Sequence, residues 1–562
     1  MNKHDYFPAL RLIGMPVARI IKTVLTAPKQ LLATTPITIR TLLFRTRHSI
    51  IFGLLATLTA PAVMAAGGTV IWARYGDADT LDPHRATSTL SMQTWDQIYD
   101  TLLAFDKDGM PQPHIAKSWT VSDDGLEYTF MLEDGVLCHD GTPFDANDVK
   151  YTVDRAFNDA KPSVTKASWG PVTEVNVIDP LTVQFKMSSR FGAFIPFLAD
   201  SFSSIICDSD ANMGEGYGTS VAIGAGPFKL VSWVKGDKIE LAKNPAYKNF
   251  GKPADNKGAP HIDKLIITTI PEPQTRLAAM KTGEVHIAEP PFDEVPTIQE
   301  SGEFDIIVAD NTGQDVFWEF TVHRPPFNDI RARQAVAYAT DPEMALDIIY
   351  GDLSQREWCP IARGVFGNDQ EFCQQFGYPY DPDKAKALLA ELGYGPDNPL
   401  ETTMIVWTGG NRHKLAEIFQ NQLAQVGINA KIEIMDIGSM NARVKQENEK
   451  PADDPSPGTF DMMTWSWYDP DILYALWHSP GAYSGYTTPE LDAMLETTRT
   501  TIDPEERLKA VQAVIQHLME NAIHVGLYSP GWEWVFAVRP EIEGFKVGPF
   551  LHPMFQDVML TQ

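Results

Sequence analysis

The apolar run Ile50–Ala60 divides the chain into two parts of opposite charge. Residues 1–65 carry eight Lys/Arg and a single acid, Asp5, whereas the rest carries 38 Lys/Arg against 72 Asp/Glu. Arg45-Thr-Arg-His48, the run of about 11 residues and the stretch Val63-Met-Ala-Ala66 supply a charged n-region, an apolar h-region and a small-residue cleavage site, the parts of a secretory signal. The run is well short of the ~20 residues that span a bilayer, although an uncleaved anchor is the competing explanation. The 44 residues before Arg45 are long for a leader and suggest an extended n-region or a start further downstream. No second long apolar segment follows, so the mature chain is expected to be soluble and periplasmic.

The formal charge of −27 argues against nucleic acid as a partner, because a phosphate backbone is met by basic surface. With 44% hydrophobic and 21% charged residues, the chain has the apolar content of a folded protein. Its length allows roughly two to four domains. The four cysteines, Cys138, Cys207, Cys359 and Cys373, all follow the leader. An even number in an exported chain permits two disulfides in three connectivities. The short Cys359–Cys373 loop, through Pro360 and Gly364, favours that pair and leaves Cys138 with Cys207, with the other connectivities still open. No cysteine stands at the cleavage point to take a lipid. A four-thiol metal site has no C-x-x-C to support it.

Periodicity and turn residues organise the rest. Strands are expected at Gly68–Tyr75 and Glu127–Leu132, and hairpins at Val175–Phe185 and Phe228–Leu241. Leu265–Ile270 adds a further strand, while Gln97–Phe105 starts as a helix. Asp148–Phe157 and Pro273–Thr282 read as helices, the second stopped by Gly283. Later in the chain, helices at Asn328–Thr340, Pro342–Tyr350, Asp381–Leu392 and Lys414–Gln425 alternate with strands at Thr402–Trp407, Ile428–Ile434 and Phe460–Trp467. Asp503-Pro-Glu-Glu506 is a helix start with its cap acid and first-turn proline. This alternation predicts an α/β fold.

Several ordered segments resemble the large periplasmic solute-binding proteins of ABC importers, family 5, which includes dipeptide, oligopeptide and nickel binders. They are Thr80-Leu-Asp-Pro83, Ile98–Ala156, Gly224–Trp233, Asn244-Pro-Ala-Tyr247, Pro325–Ala335 and Tyr483–Glu490, spread over about residues 68–550. The resemblance implies a two-lobed fold of the class II (cluster C) type with the ligand in the cleft between lobes. Lobe I would span 68–324, with a peripheral subdomain at about 113–222, and would be rejoined by 528–562; lobe II would span 325–527. It also implies closure around the solute, since only the shut form lets one ligand touch both lobes. The implied partners are a small solute and an inner-membrane ABC permease, with the protein itself a monomer.

The segment Thr464–Asp471 is the main site candidate. In peptide-binding relatives, a carboxylate just ahead of a motif like Asp469-Pro-Asp471 pairs with the ligand's ammonium, because a buried charge needs a partner. Here that position is Ser466, which carries no charge. This favours an opine-like or otherwise differently charged solute over a free-amine peptide, unless Asp469 or Asp471 takes over. Trp465 and Trp467 share one face of the expected strand, with Ser466 and Tyr468 on the other, and offer apolar area with directed polar tips. Trp407 and Thr408 end another strand, where an inter-lobe crevice would lie. In relatives the loop holding Thr87, Ser88 and Thr89 approaches the ligand, and these hydroxyls both donate and accept. Trp169 is a further pocket candidate. Core packing for the tryptophans and a solvated loop for the hydroxyls are the competing readings. The solute class expected is peptide-like or opine-like, with an oligosaccharide or a metal chelate as the alternative.

Other classes find less support. There is no H-E-x-x-H or G-x-S-x-G, and Gly224-Ala-Gly-Pro-Phe228 lacks the third glycine of a dinucleotide loop. His84, His114 and His139 lack the close spacing of metal ligands. No cofactor, metal or catalytic residue is therefore expected. A sensor using the same fold without transport is the remaining alternative.

Overall fold

The computed structural model describes residues 67–561, except 159, 161–162, 310 and 480–484. The expected signal segment over 1–65, Tyr483 of the family pattern and the side chain of Ser466 lie outside the described residues.

Thr69–Arg74 buries Val70 and Trp72 in one apolar cluster and Ala73 in another. A strand covered on both faces belongs inside a sheet. It is the middle strand of seven, ordered Asp305–Val308, Val535–Val538, Ile287–Ala288, Thr69–Arg74, Lys264–Thr269, Lys238–Lys243 and Phe228–Val234. Its two neighbours, Lys264–Thr269 and Ile287–Ala288, both run parallel to it.

A second sheet of six strands is ordered Gln355–Arg356, Val525–Ser529, Gln314–Phe320, Thr459–Ser466, Leu400–Trp407 and Ile428–Met435. Leu400–Trp407 is parallel to both of its neighbours. Parallel neighbours need a crossover, and the helix Arg412–Val426 supplies one, burying Leu415, Phe419 and Leu423 against the sheet.

The chain passes from the first sheet to the second between Val308 and Gln314 and returns between Ser529 and Val535. The first passage lies ahead of the 324/325 boundary expected from the sequence. Gln314–Phe320 pairs with Thr459–Ser466 and Val525–Ser529, so it belongs to the second sheet. Six of its seven residues are buried, which erases the alternation that would have revealed it as a strand.

A separate four-stranded antiparallel sheet, ordered Ala116–Val121, Glu127–Leu132, Thr182–Met187 and Val172–Asp179, forms within the stretch expected to be peripheral. The helix Ala146–Ala156 contacts its last strand and starts in a capping box made by Asp145 and Asp148. Disulfides join Cys138 to Cys207 and Cys359 to Cys373, the pairing that the short second loop favoured. The helix expected to start at Gln97 lies earlier, at Thr89–Trp95, and ends before it. Among the described residues, no helix is long and apolar enough to cross a membrane.

Candidate functional site

Strand direction brings two sets of ends to the passages. In the first sheet, Thr69–Arg74, Lys264–Thr269, Ile287–Ala288 and Asp305–Val308 run the same way, so Arg74, Thr269, Glu289 and Val308 mark one edge. In the second sheet, the carboxyl ends at Trp407, Met435 and Ser466 share an edge with the start of the antiparallel strand at Gln314. Both passages leave from these edges. Carboxyl ends of parallel strands beside a change of connection are where α/β sheets hold ligands. The Nε1–H of Trp534, on the return passage, donates to Gln314 Oε1 at 3.2 Å and ties the two passages together. Trp467 N–H donates to the Gly313 carbonyl at 3.0 Å and fixes the tryptophan segment to the outward passage.

Trp465 and Trp467 are half-buried at this edge and border a narrow cavity with Gly313, Asp315, Ile361 and His524. Trp407 is also half-buried; the Arg412 guanidinium lies 4.3 Å from its ring centroid. Thr408 is exposed, and its N–H donates to the Met435 carbonyl at 2.9 Å.

Other candidates have structural duties. Tyr468 is buried between the two halves, with Phe105 at 6.3 Å and Phe197 at 6.2 Å between ring centroids. Asp469 is fully buried and bound by Arg507 through two contacts of 2.8 and 2.6 Å, so its carboxylate is not free to hold a cationic ligand. Asp471 faces Arg499 at 3.1 Å, and burial pushes its carboxyl up to about 6. Neither acid replaces the charge missing at 466. Trp169 is fully buried with its ring 4.9 Å from Phe197, which corrects its assignment to the pocket: the ring is core. Thr87 is exposed. Ser88 caps the helix Thr89–Trp95, its hydroxyl accepting from Ser91 N–H at 3.3 Å, and half-buried Thr89 begins that helix.

The histidines do not assemble a metal site. His114 pairs with Asp100 at 3.3 Å, and His139 Nε2 lies 3.0 Å from the Gly226 carbonyl oxygen. Among the described residues, the one group able to converge on an ion is Cys138, Asp148 and Cys207, whose sulfurs are spent in a disulfide.

The edge also holds polar residues that the sequence reading missed. Glu289 is buried, with Arg276 Nε 3.9 Å away and the backbone N–H of Tyr75 favouring its charged form. Burial raises its carboxyl to about 7, against the pull of Arg276 and Arg74. Arg74 is also fully buried and gives one hydrogen bond, to the Leu90 carbonyl at 2.7 Å. In the second sheet, His524 Nε2 lies 3.0 Å from Asp315 Oδ2. Charged residues at the ends of otherwise apolar strands were the available signal for Arg74 and Glu289.

The pattern of bacterial extracellular solute-binding proteins, family 5, matches residues 110–484, two thirds of the chain. The chain belongs to this family. Family 5 proteins of this kind are the solute-binding components of ABC importers, and the two-lobed fold is the one seen here. The glutathione-binding protein GsiB of Escherichia coli O1:K1 is 29% identical over 531 residues, covering 90% of this chain and 98% of that protein. The periplasmic binding protein DppA of Helicobacter pylori, solved with the peptide STSA, superposes with a TM-score of 0.69 at 26% identity, covering 89% of this chain and 99% of DppA. AgaA of A. tumefaciens R10, solved with agropinic acid, shares the fold with a TM-score of 0.69 at 24% identity, covering 88% of this chain and 99% of AgaA.

Proposed function

We propose that this family 5 protein is exported to the periplasm, where as a monomer it encloses one peptide-like or opine-like solute between its two sheets and presents it to an inner-membrane permease. The observation that carries the reading is the meeting of two strand-end edges at stitched passages, with half-buried Trp407, Trp465 and Trp467 along one of them. Broad aromatic faces with a few directed polar groups suit a small amphipathic solute. Peptide and opine ligands in related proteins support the same class. With Asp469 engaged by Arg507, a ligand ammonium would have to be met by another group of the cleft.

Closure is driven by the contacts a ligand gains only when both edges touch it. The experiment is a melting-temperature screen over dipeptides, tripeptides, glutathione and opines, since a ligand bound only by the native state raises the melting point. Unchanged melting across the whole panel refutes the proposed solute class.

A further inference from the structure

The cavity beside Trp465 and Trp467 contains chemistry that a plain aromatic cleft would not need. His524 is 1% exposed. Its ring is stacked on Phe317 with centroids 3.7 Å apart and meets Trp477 nearly edge-on at 5.5 Å, so its orientation is set by packing. Nε2 lies 3.0 Å from Asp315 Oδ2, a carboxylate that only accepts, so Nε2 carries the hydrogen. Asp315 is itself 5% exposed and lies just past the outward passage. Burial opposes protonation of the ring, which leaves Nδ1 as a lone-pair acceptor. Nδ1 has no hydrogen-bond partner among the described residues. A buried acceptor without a donor is costly, and a binding protein can recover that cost from its ligand.

The space is small. The gap between atoms is about 260 Å³ with its open mouth included, and the part wide enough for a water-sized group holds about one such group. Its other walls, Ile361, Val365, Ile472 and Leu476, are apolar.

Resting on the solute-binding reading above, we propose that this cavity is a specificity subsite for a short ligand side chain ending in a hydroxyl or thiol, with His524 Nδ1 accepting its hydrogen and Asp315 holding the imidazole in the required tautomer. A methyl group of similar size would fill the space and leave Nδ1 unpaired. A carboxylate would bring acceptor to acceptor beside Asp315.

The test uses the full mature chain and matched tripeptides, Gly-X-Gly and X-Gly-Gly, with X as Ser, Cys, Ala or Asp, titrated calorimetrically. Wild type should prefer Ser or Cys over Ala by about tenfold in Kd and should reject Asp. His524→Phe keeps a flat ring for Phe317 and Trp477 but removes the acceptor, so the preference should fall to within about twofold. Nitrogen-15 NMR of wild type guards against a variant that fails to fold. The His524 resonances should report the Nε2–H tautomer, and Nδ1 should shift when the Ser peptide is added but not when the Ala peptide is. Equal affinity for Ser and Ala peptides, an unmoved Nδ1 resonance, or a preference that survives His524→Phe overturns the subsite while leaving solute binding intact. If none of these peptides binds wild type, the subsite as proposed is overturned, while the solute class stands or falls on the separate melting screen with glutathione and opines.

Discussion

Glu319 and Asp461 stand directly opposite one another on adjacent antiparallel strands of the second sheet, both buried. Among the described residues, neither oxygen of Glu319 has a hydrogen-bond partner, and one oxygen of Asp461 lacks one. Burial raises the proton affinity of both carboxyls, and the Glu319 charge raises that of Asp461 further, so the pair holds on to protons that an unfolded chain releases. An acid whose folded value is raised adds its full stability below the unfolded value, near 4, and loses it as pH climbs through the folded value. Glu319→Gln removes this dependence while keeping shape and a donor toward Asp461. The variant should gain on the order of 1–3 kcal/mol over wild type at pH 8, shrinking toward zero near pH 4–5. Urea unfolding at several pH values measures the difference, and a gap independent of pH contradicts it.

Asp469 should matter to stability rather than to the ligand. Asp469→Asn leaves the buried Arg507 guanidinium without its counter-charge, and breaking such a pair costs about 3–5 kcal/mol. Denaturant unfolding should show that loss, while a panel ligand still raises the melting point of whatever protein folds. A variant with normal stability and no ligand response would return Asp469 to the site.

The two tryptophans separate the same way. Trp465→Ala, at a half-buried position on the edge, should weaken solute binding at least tenfold with a small change in melting temperature. Trp169→Ala excavates a core packed on Phe197 and should cost about 3–5 kcal/mol. Paired melting curves with and without ligand distinguish the effects; the opposite assignment would invert them.

Arg499 bridges the halves. Its guanidinium lies 3.9 Å from the Tyr474 ring and 5.1 Å from the Phe191 ring of the peripheral region, and its carbonyl accepts from Gly192 N–H at 2.7 Å. Arg499→Ala should shift the solute-free protein toward the open form, raising the radius of gyration in X-ray scattering, with the ligand restoring the compact value. An identical radius in wild type and variant would exclude a latch.

What was legible in the sequence follows from how each element is buried. Glu127–Leu132 and Pro273–Thr282 could be placed to the residue because one face is wet or a cap is local. Gln314–Phe320 could not, since burial on both faces removes the period. At the candidate site, Trp465 and Trp467 could be singled out because aromatic residues near a strand end are visible locally, and the structure sets both half-buried beside one cavity. Asp469 reads from the sequence as a turn acid that could stand in for the charge missing at 466, but its partner Arg507 lies 38 residues on, and no local pattern announces an ion pair across that distance. The Asp315–His524 contact, 209 residues apart, was hidden for the same reason.

The hydrogen bond from Trp534 to Gln314 joins two neighbouring strips of backbone into one axle. If the halves close as proposed, such an axle acts like the hinge of a purse, which gapes only along the far side and gives cargo one lip for entry and exit. Under the closure proposed above, handover would require that the receiving permease part that lip, because the stitched side offers no exit.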